Sequence, residues 1–283
     1  MASAEQLCYN SVAKGIFQTG VGMKDYRIYY FTEKSNGREG NQDNFCVNGK
    51  INEDSGNHSE GTEDMKAPFA VAVFDGMGGE AYGEVASLYA AKTFKEYEGR
   101  FKECEDADSL DENLSSYSKE VNKQIKEFLT DRGIDFLCCG TTCAGVLINE
   151  DKFIPFWLGD SRVYLWHAEK KSIELLSHDD TEAQRWIDMG WLKEEEARDT
   201  SAWHTLNAYL GDSYFYIRIG KEAKIEKGDV ILISSDGITD LLIDAAIEQM
   251  LKYPVEKAYK ILLETACHWA EDNSTVILVT EAE

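Results

Sequence analysis

Short apolar runs separated by polar turns follow one another along most of the chain. Val, Ile, Leu and Phe fill these runs, and runs of this length and content are typical of buried β-strands. The pattern predicts strands at 27–31, 44–47, 69–74, 142–148, 153–158, 162–167, 230–234 and 275–280. The polar links 149–151 and 159–161 are each short enough to close a hairpin between neighbouring strands.

Apolar residues recur at helical spacings of three and four in three regions. These regions lie near 85–94, near 114–128, and from 239 to 269 with an interruption at Pro254. Strands joined by hairpins, with helices grouped between them, favour antiparallel sheets covered by helices. The expected fold class is α+β.

The chain has no linker rich in Pro or in Gly and Ser, and it has no internal repeat. We therefore expect a single domain over 1–283. The stretch 48–66 has low hydrophobicity and predicts an exposed loop between two strands. A calcium loop of the EF-hand type is not indicated there, because it needs ligands at fixed alternate positions and a later Glu.

The net charge of −23 argues against nucleic acid and membrane surfaces as partners, because binding to phosphate requires basic clusters. The seven Cys residues show no CxxC pair and no zinc spacing, which is typical of reduced thiols in a cytosolic protein. The first residues lack the basic and apolar regions of a signal peptide, and no stretch approaches the ~18 apolar residues of a membrane span. We expect a cytoplasmic protein.

Three turns that carry Asp stand at the end of, or just before, apolar runs. They are 75–79 (Asp-Gly-Met-Gly-Gly), 236–237 (Asp-Gly) and 272–273 (Asp-Asn). Carboxylates at strand ends, with Gly allowing close backbone approach, can converge from distant sequence onto a hard cation. Each turn taken alone is also consistent with a helix N-cap or an Asx turn.

Three further polar elements accompany these turns: 38–44 (Arg-Glu-Gly-Asn-Gln-Asp-Asn), 140–142 (Gly-Thr-Thr) and 158–162 (Leu-Gly-Asp-Ser-Arg). Each alone is consistent with an ordinary polar turn or a capped hairpin. Together and in this order, the six elements resemble the motifs of the metal-dependent protein Ser/Thr phosphatases known as PP2C or PPM, in their bacterial-type branch. The resemblance extends from about residue 26 to residue 279.

The resemblance implies a four-layer α-β-β-α sandwich of two antiparallel sheets flanked by helices. It also implies a centre for two divalent cations, Mn²⁺ or Mg²⁺, at one end of the sandwich. Asp75 would bridge both metals, and the carbonyl of Gly76 would bind one of them. Asp236 and Asp272 would complete the shell of one metal, and Asp43 would hold the other largely through water.

The expected activity is hydrolysis of phosphoserine and phosphothreonine in proteins by a metal-bridging hydroxide, without a phosphoenzyme. Arg38 matches the family's phosphate-binding Arg, and with Asp75 it is assigned to the catalytic site. Asp160 matches a carboxylate that helps to hold a third, weaker metal. Eukaryotic members commonly carry His where this chain has Met77. Since Met cannot donate a proton, a water on a metal becomes the expected donor.

A flap subdomain is expected at about 181–212. Its Trp residues at 186, 191 and 203 are consistent either with a role in substrate access or with packing inside the flap. The His residues, at 58, 167, 178, 204 and 268, show no ligand spacing.

The resemblance implies phosphoprotein substrates, including a Ser/Thr kinase or its targets, and the chain is expected to be a monomer. The alternative is a pseudophosphatase or phospho-regulated binding scaffold on the same fold. Four intact aspartates, at 43, 75, 236 and 272, argue against the scaffold. P-loop and dinucleotide-binding motifs are absent from the sequence.

Overall fold

Two antiparallel sheets form the centre of the molecule. The structure is a computed structural model, and it describes residues 24–78, 82–134, 139–212 and 214–282. Its strands, in chain order, are β1 Asp25–Glu33, β2 Asp43–Cys46, β3 His58–Lys66, β4 Phe69–Met77, β5 Gly140–Thr141, β6 Cys143–Asn149, β7 Lys152–Leu158, β8 Arg162–His167, β9 Ser172–Leu175, β10 Arg218–Ile219, β11 Ala223–Lys224, β12 Val230–Ser234 and β13 Ser274–Glu281. One sheet has the order β3-β1-β13-β12-β8-β9. The other has the order β10-β7-β6-β4-β2, with β11 paired to β7 and β5 paired to β4.

Helices cover the outer face of each sheet. They are α1 Gly83–Phe101, α2 Ala107–Arg132, α3 Glu182–Asp188, α4 Glu194–Ala197, α5 Asp236–Thr239, α6 Asp244–Leu251 and α7 Val255–Trp269, with a 3-10 turn at Ser201–His204. Among the helices that the structure describes, none combines the length and the apolar content needed to cross a membrane.

Side-chain alternation along β4 and β12 explains the layering. In β4, Val71 and Val73 point into the core between the sheets, whereas Ala72 and Phe74 pack against α1 and α2. In β12, Ile231 and Ile233 enter the same inter-sheet core, whereas Val230 and Leu232 pack under α6 and α7. Residues 69–74 of β4 and 230–233 of β12 are therefore continuously apolar, and the layers run helix, sheet, sheet, helix. The expected α+β four-layer sandwich is confirmed.

Helix α2 has capping residues at both ends. Its N-cap is Asp106, whose side chain accepts a hydrogen bond from the backbone N–H of Ser109 in a capping box. It ends at Gly133, where φ is 65°. Its buried stripe recurs at the expected spacing and faces the β4 sheet.

The predicted loop at 48–66 is wrong in its second half. His58–Lys66 forms the edge strand β3, which pairs with β1 over its full length. The side chains of β3 are polar because most of them face solvent, and Met65 is its one buried residue. This strand forms through backbone pairing with β1, and the hydrophobicity of its side chains does not predict such pairing.

The two predicted hairpins have different outcomes. The link 149–151 joins β6 to β7 in an antiparallel hairpin and is confirmed. The link 159–161 is wrong as a hairpin, because β7 belongs to one sheet and β8 to the other. Gly159, with φ at 101°, turns the chain from one layer into the next. Of the remaining sequence features, Gly79, Cys8 and Cys138 lie outside the described residues.

Candidate metal centre

A cavity of about 880 Å³ opens at one end of the sandwich, where β4, β13 and the start of α5 meet. It is lined by Arg38, Asp75, Gly76, Asp160, Asp236 and Asp272, together with neighbours that include Met77. Six of the seven predicted site residues therefore reach one cavity from five separate chain segments.

Asp43, the seventh residue, lies directly behind Asp75. The two are paired across β2 and β4, and Asp43 is only 1 % exposed. Its Oδ2 accepts hydrogen bonds from Ser235 Oγ at 2.7 Å and from Thr275 Oγ1 at 2.8 Å. Thr275 belongs to β13 of the other sheet and Ser235 directly follows β12, so this carboxylate is held between the two sheets with its position defined by both.

Gly76 permits the close packing that positions Asp75. A Cβ at residue 76 would lie 2.2 Å from the carbonyl oxygen of Gly83 and 2.5 Å from that of Gln42. The backbone N–H of Gly76 donates to the Gln42 carbonyl at 3.1 Å. The end of β4 therefore fits between the chain before β2 and the start of α1. A residue with a side chain at position 76 would prevent this packing.

Gly237 does the same for Asp236 and Asp272. A Cβ at residue 237 would lie 2.0 Å from the carbonyl oxygen of Asn273. The start of α5 therefore packs directly against the turn before β13. Asn273 is fixed in turn, because its Oδ1 accepts from the backbone N–H of Gln42 at 2.9 Å.

The carboxylates of this cluster raise one another's pKa values. Burial raises the pKa of Asp43 to about 7. The pKa of Asp75 is raised well above its usual value by burial and then by the charges of Asp43 and Asp236. The pKa of Asp236 is raised in the same way by burial and by Asp160. Such a set needs positive charge to hold its ionised form.

Divalent cations fit this need. The donors are carboxylate oxygens, with backbone carbonyls nearby, and these are the ligands that Mg²⁺ and Mn²⁺ prefer. The predicted ligands Asp43, Asp75, Asp236 and Asp272 are four carboxylates, more than the one or two through which a single Mg²⁺ is usually bound. A centre for two ions uses that number.

Arg38 stands at the mouth of the cavity with its side chain about half exposed. Its Nη2 donates to Asp272 Oδ2. Burial lowers the pKa of Arg38, but the Asp272 carboxylate and then Asp236 and Asp75 outweigh this, and the pKa is raised overall. The guanidinium is therefore permanently charged, and its exposed edge is available to an anion entering the cavity.

Asp160 reaches the cavity from the crossing between the two sheets. It is buried, and its pKa is raised to about 8 by burial and by the charges of Asp179 and Asp240. The neighbouring Ser161 Oγ lies 2.6 Å from Thr142 Oγ1. The crossing that replaces the expected hairpin thus carries Asp160 to the end of the sandwich.

Asp240 and His204 also line the cavity, and sequence reasoning did not identify either. The spacing of Asp240 from Asp236 is one helical turn, a signal that could have found it. His204 Nδ1 lies 3.2 Å from Asp240 Oδ2. Within the part of the chain that the structure describes, His204, Asp236 and Asp240 are the one set of three whose ligand atoms all lie within 4.8 Å of one another.

The segment 181–212 holds α3, α4 and the 3-10 turn. Trp203 is buried with three alanines in a small apolar cluster, and Trp186 packs against it. For Trp186 and Trp203, the structure therefore agrees with packing inside the flap, one of the two roles expected for the Trp residues. Trp191 is 65 % exposed. The segment faces the cavity through His204 and Leu206.

The chain matches the family model described as Protein phosphatase 2C over residues 43–274. It is 28 % identical over 240 residues to the serine/threonine phosphatase stp of Listeria innocua, covering 81 % of this chain and 89 % of that protein. The crystal structure of the Mycobacterium tuberculosis serine/threonine phosphatase PstP/Ppp superposes with a TM-score of 0.74 at 24 % identity, covering 92 % of this chain and 100 % of the other. A second structure, the PstP catalytic domain in complex with two manganese ions, has a TM-score of 0.71 at 24 % identity, covering 91 % and 100 %. The family model spans most of the chain, and the chain therefore belongs to the protein phosphatase 2C family.

Proposed function

We propose that this protein is a metal-dependent phosphatase that hydrolyses phosphoserine and phosphothreonine in proteins. The observation that carries the proposal is the meeting of Asp75, Asp236 and Asp272 with Arg38 in one cavity, with Asp43 directly behind. Family membership supports the same activity.

The roles follow the positions of the residues. Asp75 is paired with Asp43 and lines the cavity with Asp236, so it would be shared by two divalent cations, Mn²⁺ or Mg²⁺. Asp236 and Asp272 would hold one cation, Asp43 would hold the other largely through water, and the carbonyl of Gly76 would bind one of the two. When bound, the cations would supply an activated water and neutralise phosphate charge.

The chain's own groups would position the substrate. Arg38 would hold two phosphate oxygens with its guanidinium while Asp272 orients it. Met77 lines the cavity and offers no proton to the leaving group. Asp160 would help to hold a third, weaker cation.

A protein substrate is supported by the rim of the cavity. Trp269 is 72 % exposed, and Leu241 is also exposed, yet both line the cavity. Trp269 is the last residue of α7 and follows the buried Ala266 by three positions. It therefore lies on the apolar face of the helix, at the end of that face. An apolar rim beside a charged centre suits a phosphorylated peptide segment. A Ser/Thr kinase, or the proteins that such a kinase modifies, would be substrates of this kind.

We treat the chain as one phosphatase domain with the segment 181–212 as its flap. The side chains of the flap reach both its own small core and the cavity, which supports a role in covering bound substrate.

The test is hydrolysis of p-nitrophenyl phosphate and of a phosphothreonine peptide by chelator-treated protein, with Mn²⁺, Mg²⁺ or EDTA. We expect activity with the metals and none with EDTA. Replacing Asp75 by Asn should abolish turnover, whereas the exposed Asp64→Asn variant should retain it. Activity that survives thorough chelation, or an active Asp75→Asn variant, would refute the metal mechanism. Metal binding without turnover would instead favour the binding scaffold.

A further inference from the structure

We propose that His204 is a nitrogen ligand for a divalent cation that is held together with Asp236 and Asp240. The proposal rests on the proposed function, because it adds a residue of the flap to the same metal-dependent centre. It assigns to the weaker cation near Asp160 a site with mixed nitrogen and oxygen donors.

The distances suit one ion. Donors about 2.1 Å from an octahedral ion lie about 3 Å apart when adjacent and about 4.2 Å apart when opposite. His204 Nδ1 and Asp240 Oδ2 are 3.2 Å apart. The ligand atoms of His204, Asp236 and Asp240 all lie within 4.8 Å of one another. The 3.2 Å distance fits two adjacent ligands of one ion, and small side-chain movements would bring all three groups into one coordination sphere.

Asp240 is held in place by a group outside that sphere. Its Oδ1 accepts from Trp203 Nε1 at 2.7 Å, which leaves Oδ2 on the side of His204. An oriented carboxylate of this kind is typical of metal sites, where outer hydrogen bonds fix the ligands. The donor, Trp203, belongs to the buried cluster of the flap, so the flap itself orients the carboxylate.

The charges around the site call for a cation. Asp160, Asp236 and Asp240 line the same cavity as His204 and bring three carboxylates to it. The imidazole of His204 is 58 % exposed and adjoins the cavity, so an ion can reach it. An ion bound there would offset the carboxylates and use the neutral imidazole as a ligand.

The nitrogen donor has a consequence for metal choice. Mg²⁺ prefers oxygen ligands and retains its waters, whereas imidazole favours transition metals. The two-ion centre at Asp43, Asp75, Asp236 and Asp272 offers oxygen alone and accepts either ion. The site at His204 should therefore bind Mn²⁺ and discriminate against Mg²⁺.

The His204→Ala variant offers a clean test, because other contacts hold the flap against α5. Trp203 donates to Asp240, and Arg198 Nη1 donates to the Thr239 carbonyl at 3.3 Å. Loss of the imidazole thus removes one ligand and leaves the flap attached. The matched control is His178→Ala, since His178 is a similarly exposed histidine whose Nε2 lies 3.2 Å from Asp188 Oδ1.

The experiment is Mn²⁺ titration of the chelator-treated full chain, followed by electron paramagnetic resonance. Echo-envelope modulation detects the coupling of a directly bound imidazole ¹⁴N to Mn²⁺. We expect this coupling in the wild type and in His178→Ala, including in excess Mg²⁺, and its loss in His204→Ala. The weakest Mn²⁺ site of His204→Ala should bind at least about tenfold less tightly. His204→Gln, which keeps the polarity, should lose the coupling as well, and circular dichroism checks that each variant is folded.

Absence of ¹⁴N coupling at saturating Mn²⁺ in the wild type, or its persistence in folded His204→Ala, would overturn the proposal. Parallel assays with p-nitrophenyl phosphate separate this outcome from failure of the proposed function. Mn²⁺-dependent turnover without the coupling would refute the role of His204 alone. Coupling without turnover would refute the phosphatase activity and leave the metal site standing.

Discussion

Metal-free protein should lose stability as the pH rises, because folding buries carboxyl groups that resist ionisation. Asp43 has a pKa of about 7 in the fold against an ordinary value of 3.8. Between these values the folded state binds a proton that the unfolded state has released, so the free energy of unfolding falls with increasing pH. The loss begins near pH 4 and is complete above about pH 7 for this residue.

The size of the effect follows from the same values. Each pKa unit corresponds to about 1.4 kcal/mol, so Asp43 alone costs on the order of 4 kcal/mol at alkaline pH. About half of this, roughly 2 kcal/mol, is lost between about pH 5.5 and about pH 8. For a chain of this size that is a fall in melting temperature of roughly 4–8 °C.

The assay is thermal unfolding by calorimetry in EDTA at the two pH values, then with saturating Mn²⁺. Asp43→Asn carries no ionisable group at this site and should lose less stability over the same interval. Mn²⁺ should raise the melting temperature more at the higher pH, because protons compete with the metal for the carboxylates. If the wild type and Asp43→Asn show the same pH dependence in EDTA, the electrostatic reasoning about this cluster is wrong.

The remaining predictions concern single residues around the cavity. Arg38→Ala should raise KM for p-nitrophenyl phosphate by roughly tenfold or more with a smaller effect on kcat, and an unchanged KM in steady-state kinetics would remove Arg38 from the phosphate site. Gly237→Ala should lower the free energy of unfolding by about 1–3 kcal/mol, measured by denaturant titration, because its Cβ would meet the Asn273 carbonyl at 2.0 Å. Trp269→Ala should lower kcat/KM for a phosphothreonine peptide with apolar flanking residues by about fivefold, roughly 1 kcal/mol, and should spare p-nitrophenyl phosphate. Equal losses on both substrates would contradict the proposed rim.

The strands whose bounds the sequence predicted well are those in which most side chains are apolar and buried. The predicted bounds of β8 and β12 match the structure, and β4 differs only by its extension past Asp75 to Met77. Edge strand β3 and short strand β9 were missed, because few of their side chains are buried and backbone pairing forms them. Local hydrophobicity carries no information about such pairing.

The third helical region shows a related limit. Periodicity indicated helix from 239 to 251, whereas the structure has α5 ending at Thr239 and α6 beginning at Asp244. The break leaves Asp240 and Leu241 on the wall of the cavity. Apolar residues keep their helical spacing across this break, so the spacing alone does not show that the helix is interrupted there.

Local composition and spacing were enough to predict the alternation of buried strands and amphipathic helices, the acidic turns, and the motif order that indicates the family. The crossing between sheets at Gly159 and the contact of His204 with Asp240, 36 residues away, arise from the packing of the folded chain. Contacts of this kind depend on how layers pack and where the flap folds back, and no local signal in the chain specifies them. The residues that line the candidate metal centre were therefore predictable from their motifs, whereas the ligand that we propose in the flap was not.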